Sequence, residues 1–276
     1  MQIDFETEGL IVEAVRRVAV AEILPGFRAL APGDIDTKSG PEDLVTPYDR
    51  AAERALATAL GAILPGALFV GEESVDADPG LLDLLAGAEL AVIVDPIDGT
   101  SNFAAGLALF GVIVAVVAQG ETVFGLLYDP VIDDWVLARR GGGAWFAGPG
   151  KPPRRLTGRA TRPRAEAHGF VPLYMYKGAR RHAVAAALPE LGRTGSLRCS
   201  CHEYRQLALG QADFVVSQSA KPWDHAAGCL VVAEAGGRIL SGGVPGYDPR
   251  APRAPVIAFA DAESPGELLP EALLKD

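Results

Sequence analysis

Asp95-Pro96-Ile97-Asp98-Gly99-Thr100-Ser101-Asn102-Phe103 follows directly on the apolar run Ala91-Val92-Ile93-Val94, and the reading of the whole chain turns on this junction. The run has the β-branched content of a strand. Pro96 has no N–H to give a ladder, so pairing is expected to stop there, and its ring stiffens the turn that follows. Gly99 lets the backbone come close to a ligand that a side chain would hold off. Two carboxylates, Asp95 and Asp98, thus stand where layered α/β proteins collect ligands, at the carboxyl end of a strand. Taken alone, the segment fits an Asx-turn or a helix cap equally well.

Further acids stand at similar places. Residues 67–70 form a short apolar run that leads into Gly71-Glu72-Glu73, and Asp224 stands just before a helical pattern over residues 226–235. Each acid alone could cap a helix or sit in solvent. Sharing one site, they would repel strongly, since two charges about 4 Å apart at an effective dielectric near 20 cost roughly 4 kcal/mol. Protons or a cation must relieve that. With oxygen donors only and no histidine at suitable spacing, the cation would be magnesium or manganese rather than zinc.

The rest of the chain supplies layers around this junction. Leu10, Ala14, Val18 and Ala21 describe an amphipathic helix over residues 10–21. Thr46 can cap a second helix with Pro47 at its first position, a body over 51–60, and Gly61 and Pro65 as its end. Residues 109–118, 122–128 and 135–139 are β-rich, with Gln119-Gly120 as a hairpin turn. Gly141-Gly142-Gly143 lacks the context of a nucleotide loop and reads as a turn. Residues 148–163, rich in Pro, Gly, Lys and Arg, read as a surface connection. Beyond it, helical and strand-like segments alternate over 179–188, 195–198, 203–209, 214–216, 226–235 and 256–259. The expectation is a single domain over 1–276, with an α+β half over about 1–146, a connection over about 147–163 and an α/β half over about 164–276.

Composition narrows the class of partner. The 276 residues suffice for a sizeable core, and 49% hydrophobic with 22% charged residues is the balance of a soluble globular protein. A formal net charge of −10 is the opposite of the basic stripe that a nucleic-acid backbone demands, so no nucleic-acid polymer is expected as a partner. The N-terminus is acidic and lacks the pattern of a secretory signal. The longest apolar stretch, residues 107–118, is too short for a bilayer span, so no membrane association is expected. Cys199, Cys201 and Cys229 are too few, and odd in number, for a disulfide framework. A reduced, cytoplasmic protein is expected.

In combination the acidic segments form a pattern. The 95–103 segment resembles the DPIDGTxNF motif of the inositol monophosphatase family. Gly71-Glu72-Glu73 is similar to that family's GEE, and Trp223-Asp224-His225-Ala226-Ala227-Gly228 to its WDxAAG, followed by Glu234-Ala235-Gly236-Gly237. Upstream, the stretch from Lys38 to Asp49 resembles the family's K…D-x-V-T-x-x-D element. The resemblance implies an αβαβα five-layer sandwich, shared with fructose-1,6-bisphosphatases and usually found as a homodimer. It implies magnesium-dependent, lithium-sensitive hydrolysis of a small phosphate monoester by direct attack of an activated water, with two or three Mg2+ per subunit and Mn2+ as a substitute. Glu72, Asp95 and the Ile97 carbonyl would hold one ion, and Asp95, Asp98 and Asp224 another. Glu72, Thr100 and Asp49 would be the catalytic group, Thr100 helping to activate the water while hydrogen-bonded to Asp49. The backbone N–H groups of Gly99 and Thr100 would cradle the phosphate.

The substrate side departs from the pattern. Where inositol-hydrolysing members often carry a glutamate, this chain has Ser217, and the family's Gly-Thr-Ala-type stretch becomes Arg198-Cys199-Ser200. Lys221 lies three residues before Asp224. Arg198, Ser200, Ser217 and Lys221 are therefore the expected substrate contacts, and a substrate more anionic than inositol monophosphate is expected unless Arg198 points to solvent. Histidinol-phosphate phosphatase and 3′-phosphoadenosine-5′-phosphate phosphatase are alternative activities within similar proteins, and a non-catalytic regulator on the same fold is the alternative from another class. Cys199-x-Cys201-His202 is a weak zinc pattern without a second ligand pair. His225 reads as a helix-surface residue and Trp223 as a packing anchor.

Overall fold

The computed structural model describes residues 2–38, 40, 43–263 and 268–274. Ser39, Pro41 and Glu42, inside the Lys38-to-Asp49 element, lie outside the described residues. Seven strands form one sheet in chain order: Leu68–Gly71, Leu90–Asp98, Gly111–Ala118, Glu121–Asp129, Asp134–Arg139, Gly143–Gly148 and Lys151–Leu156. The first pair is parallel and the rest antiparallel. The second sheet runs Arg193–Gly195, His168–Phe170, Phe214–Ser217, Val256–Phe259, Arg238–Ser241, Val244–Pro245.

The layering follows from which side of each strand meets which neighbour, because successive side chains on a strand point to opposite faces. Val92 and Val94, with Val112, Val114, Phe124 and Leu126, pack on helices Phe5–Val18 and Pro47–Ile63 through Ile11, Val15, Leu56 and Leu60. The alternate residues Ala91, Ile93, Ile113, Ala115 and Leu127 pack on helices Ser200–Ala208 and Pro222–Glu234 through Tyr204, Leu207, Ala226, Ala227 and Val231. Those two helices also cover Val215, Val256 and Ala258 of the second sheet. Its far face, Phe214, Val216, Ile257 and Phe259, packs on Val184 of helix Gly178–Ala187 and on Leu268, Leu269 and Leu273. The order is helix, sheet, helix, sheet, helix, the five-layer αβαβα sandwich that the resemblance implied. Strand Gly111–Ala118 is buried along its whole length, which is why it reads as an unbroken apolar run.

Small residues let the middle layers pack closely. A Cβ at Gly125 would come within 2.7 Å of the Ala227 carbonyl oxygen, and one at Gly228 would run into the Tyr204 ring. Gly125 therefore lets helix Pro222–Glu234 approach the first sheet, and Gly228 lets the two central helices approach each other.

Several boundaries differ from the sequence reading. Strand Leu90–Asp98 continues through Pro96, because a register shift between Asp95 and Asp98 takes up one extra residue and leaves the proline outside the ladder. Gly61 does not close its helix, which runs from Pro47 to Ile63. The first helix spans Phe5–Val18 and continues as a π-helical turn, Ala19–Ile23. Part of the expected surface connection is the exposed edge strand Lys151–Leu156, and residues 195–198 are mostly a turn after strand Arg193–Gly195. Gln119 and Gly120 do form the hairpin turn, both at positive φ (51° and 83°). Among the described residues, no helix is long and apolar enough to cross a membrane.

Candidate metal and phosphate site

The bulge at Pro96 decides the geometry of the site. Asp95 and Asp98 are three positions apart, so on a regular strand their side chains would leave opposite faces. One inserted residue restores the parity, and both carboxylates emerge on the face that meets the central helices. Asp224, in the first turn of Pro222–Glu234, reaches the same point: oxygens of Asp95, Asp98 and Asp224 all lie within 4.8 Å of one another.

Each acid is held by its surroundings. Asp95 Oδ1 accepts the Ile97 N–H (3.1 Å). Asp98 Oδ2 accepts the Cys201 N–H (2.5 Å) and the Cys199 thiol (3.1 Å). Ser219 Oγ donates to Asp224 Oδ2 (3.4 Å). Glu72 stands outside the triad but lines the same cavity. Its Oε1 lies 3.2 Å from Lys38 Nζ and 3.9 Å from Lys221 Nζ. Glu73 Oε1 pairs with Lys38 Nζ at 2.5 Å.

Thr100 and Asp49 are brought together, as expected. Thr100 Oγ1 lies 3.1 Å from Asp49 Oδ1 and 3.0 Å from the Ile97 carbonyl, so its single proton serves one of the two acceptors at a time. The other Asp49 oxygen accepts the Thr46 N–H (2.8 Å) and the Thr46 hydroxyl (2.6 Å), closing a capping box on helix Pro47–Ile63. Gly99 has φ 88°, and a Cβ there would stand 3.1 Å from the Leu109 carbonyl. The turn needs glycine for both reasons.

The electrostatics are those of acids crowded out of water. Burial, then the charges of Glu72, Asp98 and Asp224, push Asp95 well above the ordinary carboxylate range. Burial pushes Asp98 to about 6, against hydrogen bonds from the Cys201 and Ser200 backbone and the Cys199 thiol. Asp224 rises to about 8, chiefly by burial, with Lys221 opposing and Glu72 and Asp98 adding to the rise. Asp49 rises to about 6, again mainly by burial. An all-oxygen donor set this crowded fits a hard divalent cation.

The cleft at this site has a volume of about 630 Å3, and its lining includes Glu72, Asp95, Ile97, Asp98, Gly99, Thr100, Arg198, Ser200, Ser217, Lys221 and Asp224. All the expected metal and substrate positions thus share one cavity, and Asp49 stands directly behind Thr100. Arg198 is exposed and is among the residues that line this cavity.

One other expectation fails, and the weak zinc pattern stays without a site. His225 is buried rather than on the surface; its Nδ1 lies 2.8 Å from the Tyr204 hydroxyl, and burial lowers it to about 4. Cys199, Cys201 and His202 do not converge: the first two hold Asp98, and His202 Nε2 contacts the Phe110 carbonyl at 3.0 Å. Among the described residues the only group of three or more potential metal ligands is the Asp95, Asp98, Asp224 triad.

Three supporting residues escape the sequence reading. Glu53 is buried and accepts the N–H groups of Glu73 and Ser74, both at 2.8 Å, which fixes the Glu72–Ala77 helix start. Gly71 leaves the room for that carboxylate. Asn102 Nδ2 donates to the carbonyls of Leu109 and Leu197 (both 2.8 Å), tying the 95–103 segment to the second half of the chain. Glu203, buried at the same junction, accepts the Leu197 N–H (2.7 Å). The one available signal was the spacing of Asp49 and Glu53, two acids on one helix face at i and i+4.

A sequence profile of the family described as "Inositol monophosphatase family" matches residues 6–271. A "Fructose-1,6-bisphosphatase/inositol-1-monophosphatase" of Thermotoga maritima is 28% identical over 75% of this chain and 74% of its own length. The "Nus factor SuhB" of Escherichia coli is 30% identical over 82% of this chain and 85% of its own. The solved structure of a Thermotoga maritima IMPase superposes with a TM-score of 0.75 at 23% identity, covering 94% of this chain and 93% of the other, a likeness of fold.

Proposed function

The chain belongs to the inositol monophosphatase family, a family of phosphatases, and from that premise we propose that it hydrolyses a small phosphate monoester with magnesium. The observation that carries the proposal is the convergence of Asp95, Asp98 and Asp224 within 4.8 Å beside the Thr100–Asp49 pair. Asp95, Asp98 and Asp224 would hold one Mg2+, and Asp95, Glu72 and the Ile97 carbonyl a second; a third ion and Mn2+ in place of Mg2+ are compatible with the same oxygen donors. Bound there, such ions supply a water of lowered pKa and balance charge on the phosphoryl oxygens.

The protein's own groups do the rest. Thr100 Oγ1, between Asp49 and the Ile97 carbonyl, orients the attacking water and can pass a proton to Asp49 Oδ1, whose raised titration near 6 suits that role. The backbone N–H groups of Gly99 and Thr100 would cradle the phosphate, as the family pattern implies. Lys38 and Lys221 offset the charge of Glu72. No phosphoenzyme is invoked: Cys199 is buried, engaged with Asp98, and held well above its ordinary thiol range by burial. The family premise extends the proposal to inhibition by lithium, a homodimer and a cytoplasmic setting.

Phosphate release from inositol, nucleotide, sugar and amino-alcohol phosphates, with Mg2+ and with a chelator, tests the proposal and separates it from a histidinol-phosphate or 3′-phosphoadenosine-5′-phosphate preference. Release that needs Mg2+ and stops with chelation is expected. Release indifferent to chelation contradicts it. The likeness to a protein named a Nus factor supports a second reading, a regulator on the phosphatase fold; intact metal binding without release from any ester would favour it.

A further inference from the structure

The cleft lining includes cations as well as acids. Among them, Arg198 has φ 53°, a left-handed conformation that side-chain-bearing residues seldom adopt. Two buried side chains clamp the turn that holds it there. Glu203 Oε1 accepts the Leu197 N–H (2.7 Å) and the Ser196 hydroxyl (3.2 Å), and Asn102 Nδ2 donates to the Leu197 carbonyl (2.8 Å). Ser196 Oγ in turn accepts the Arg198 N–H (3.1 Å). The guanidinium is engaged as well: Nη2 donates to Ser101 Oγ (3.1 Å), and Cζ lies 5.5 Å from the centre of the Tyr174 ring.

Arg198 is not alone. Lys177, exposed at the start of helix Gly178–Ala187, lines the same cleft. So does Lys221, which lies 5.4 Å from the Trp223 ring centre but is already engaged with Glu72, 3.9 Å from its Oε1. Ser217, also in the lining, contributes no charge. In a chain of net charge −10, three cations line a cavity that also holds the carboxylates of Glu72, Asp95, Asp98 and Asp224. Cations beyond those engaged with the acids can draw in a second anionic group. A guanidinium suits the planar, forked recognition of a carboxylate or phosphate.

Resting on the phosphatase reading above, we propose that Arg198, with Lys177, forms a subsite for a second anionic group of the substrate, a carboxylate or a second phosphate. The substrate class is then a phosphate ester that carries a further anionic group, and phosphates of uncharged polyols are poorer substrates. Glu203 and Asn102 are positioning residues for the turn that presents Arg198.

The test compares kcat/KM for glycerol 1-phosphate, 3-phosphoglycerate and fructose 1,6-bisphosphate in the wild type, Arg198→Ala, Arg198→Lys and Lys177→Ala. The wild type is expected to favour at least one of the two esters with a second anionic group, and which one it favours separates carboxylate from phosphate. Arg198→Ala is expected to lower the kcat/KM ratio of that ester to glycerol 1-phosphate by about tenfold or more. Arg198→Lys lowers it less, and so does Lys177→Ala, which leaves the 196–198 turn untouched. Because the ratio is internal to each preparation, a loss of folded protein does not move it. A wild-type preference for glycerol 1-phosphate, or an equal loss for every ester in Arg198→Ala, overturns the subsite. Should no ester be hydrolysed, the phosphatase reading fails, and thermal shifts with the same compounds judge the subsite: a larger shift with an ester that bears a second anionic group, lost in Arg198→Ala, supports it, and equal shifts overturn it.

Discussion

Asp98→Asn is expected to abolish nearly all phosphate release, by more than the roughly 10–100-fold typical of residues that only support metal ligands. The reason lies in how the side chain is held. Its Oδ2 faces two donors, the Cys201 N–H and the Cys199 thiol. An amide that keeps its oxygen there turns its NH2 towards the position proposed for the cation; the opposite orientation sets NH2 against the Cys201 N–H. Either way one contact becomes repulsive. The fold should survive, since the change removes a charge from a cluster in which Asp95, Asp98 and Asp224 already repel one another. Steady-state phosphate release, with circular dichroism as the check on folding, measures this. A variant with half the wild-type kcat would overturn the metal assignment.

The second large effect is on stability. Burial raises Asp224 to about 8, and raises Glu73 and Glu203 to about 7 each. Carboxyls with folded-state titrations above their unfolded values stabilise the fold while protonated, and that contribution is lost as pH rises through the folded values. Burial lowers His225 and His202, which gives the opposite trend, but only below the ordinary histidine range near 6.5. Between pH 6.5 and 8.5 the acids therefore dominate. A tenfold difference in one carboxyl's proton affinity between folded and unfolded chain is worth about 1.4 kcal/mol, which in a chain of this size moves Tm by roughly 3 °C. The chelated protein is expected to lose several degrees over that window, and added Mg2+ to restore more at pH 8.5 than at 6.5. Asp224→Asn should flatten the slope. Differential scanning fluorimetry decides it; a chelated protein whose Tm rises across the window would contradict the account.

How much was legible beforehand depended on whether a residue's partner was local. The 95–103 segment, Glu72 and Asp224 could be read because their residue types and order are themselves the signal, and strand 91–94 because its face alternates between two helical layers. The bulge could not. Pro96 read as an end to pairing, whereas it is the inserted residue that turns Asp98 to the side of Asp95. Glu53 looked like an ordinary helix acid because its partners are backbone groups twenty and twenty-one residues away. The Lys151–Leu156 edge strand was hidden by Pro152 and Pro153, which an edge tolerates and an interior strand does not. Arg154 and Arg155 lie over Phe146 and Trp145 of the neighbouring strand, a cross-strand contact without local pattern. His225 could have been placed correctly: it precedes Ala226-Ala227-Gly228, small residues that mark a face pressed against a neighbour.

The substrate side was legible as a difference and not as a geometry. Arg198, Ser217 and Lys221 stood out in the sequence. Only the fold shows that Asn102, inside the 95–103 segment, clamps the turn that carries Arg198, so that the proposed metal site and that turn are parts of one hydrogen-bonded unit.

The central claim is that a one-residue bulge gathers Asp95 and Asp98 with Asp224 around divalent cations, and anomalous diffraction from crystals grown with Mn2+ tests it most directly. Anomalous peaks are expected in contact with the carboxylates of Asp95, Asp98 and Asp224, with Glu72 at a neighbouring peak. Mn2+ peaks elsewhere on the protein with none at these carboxylates, or a peak at Cys199, Cys201 and His202 instead, would contradict it.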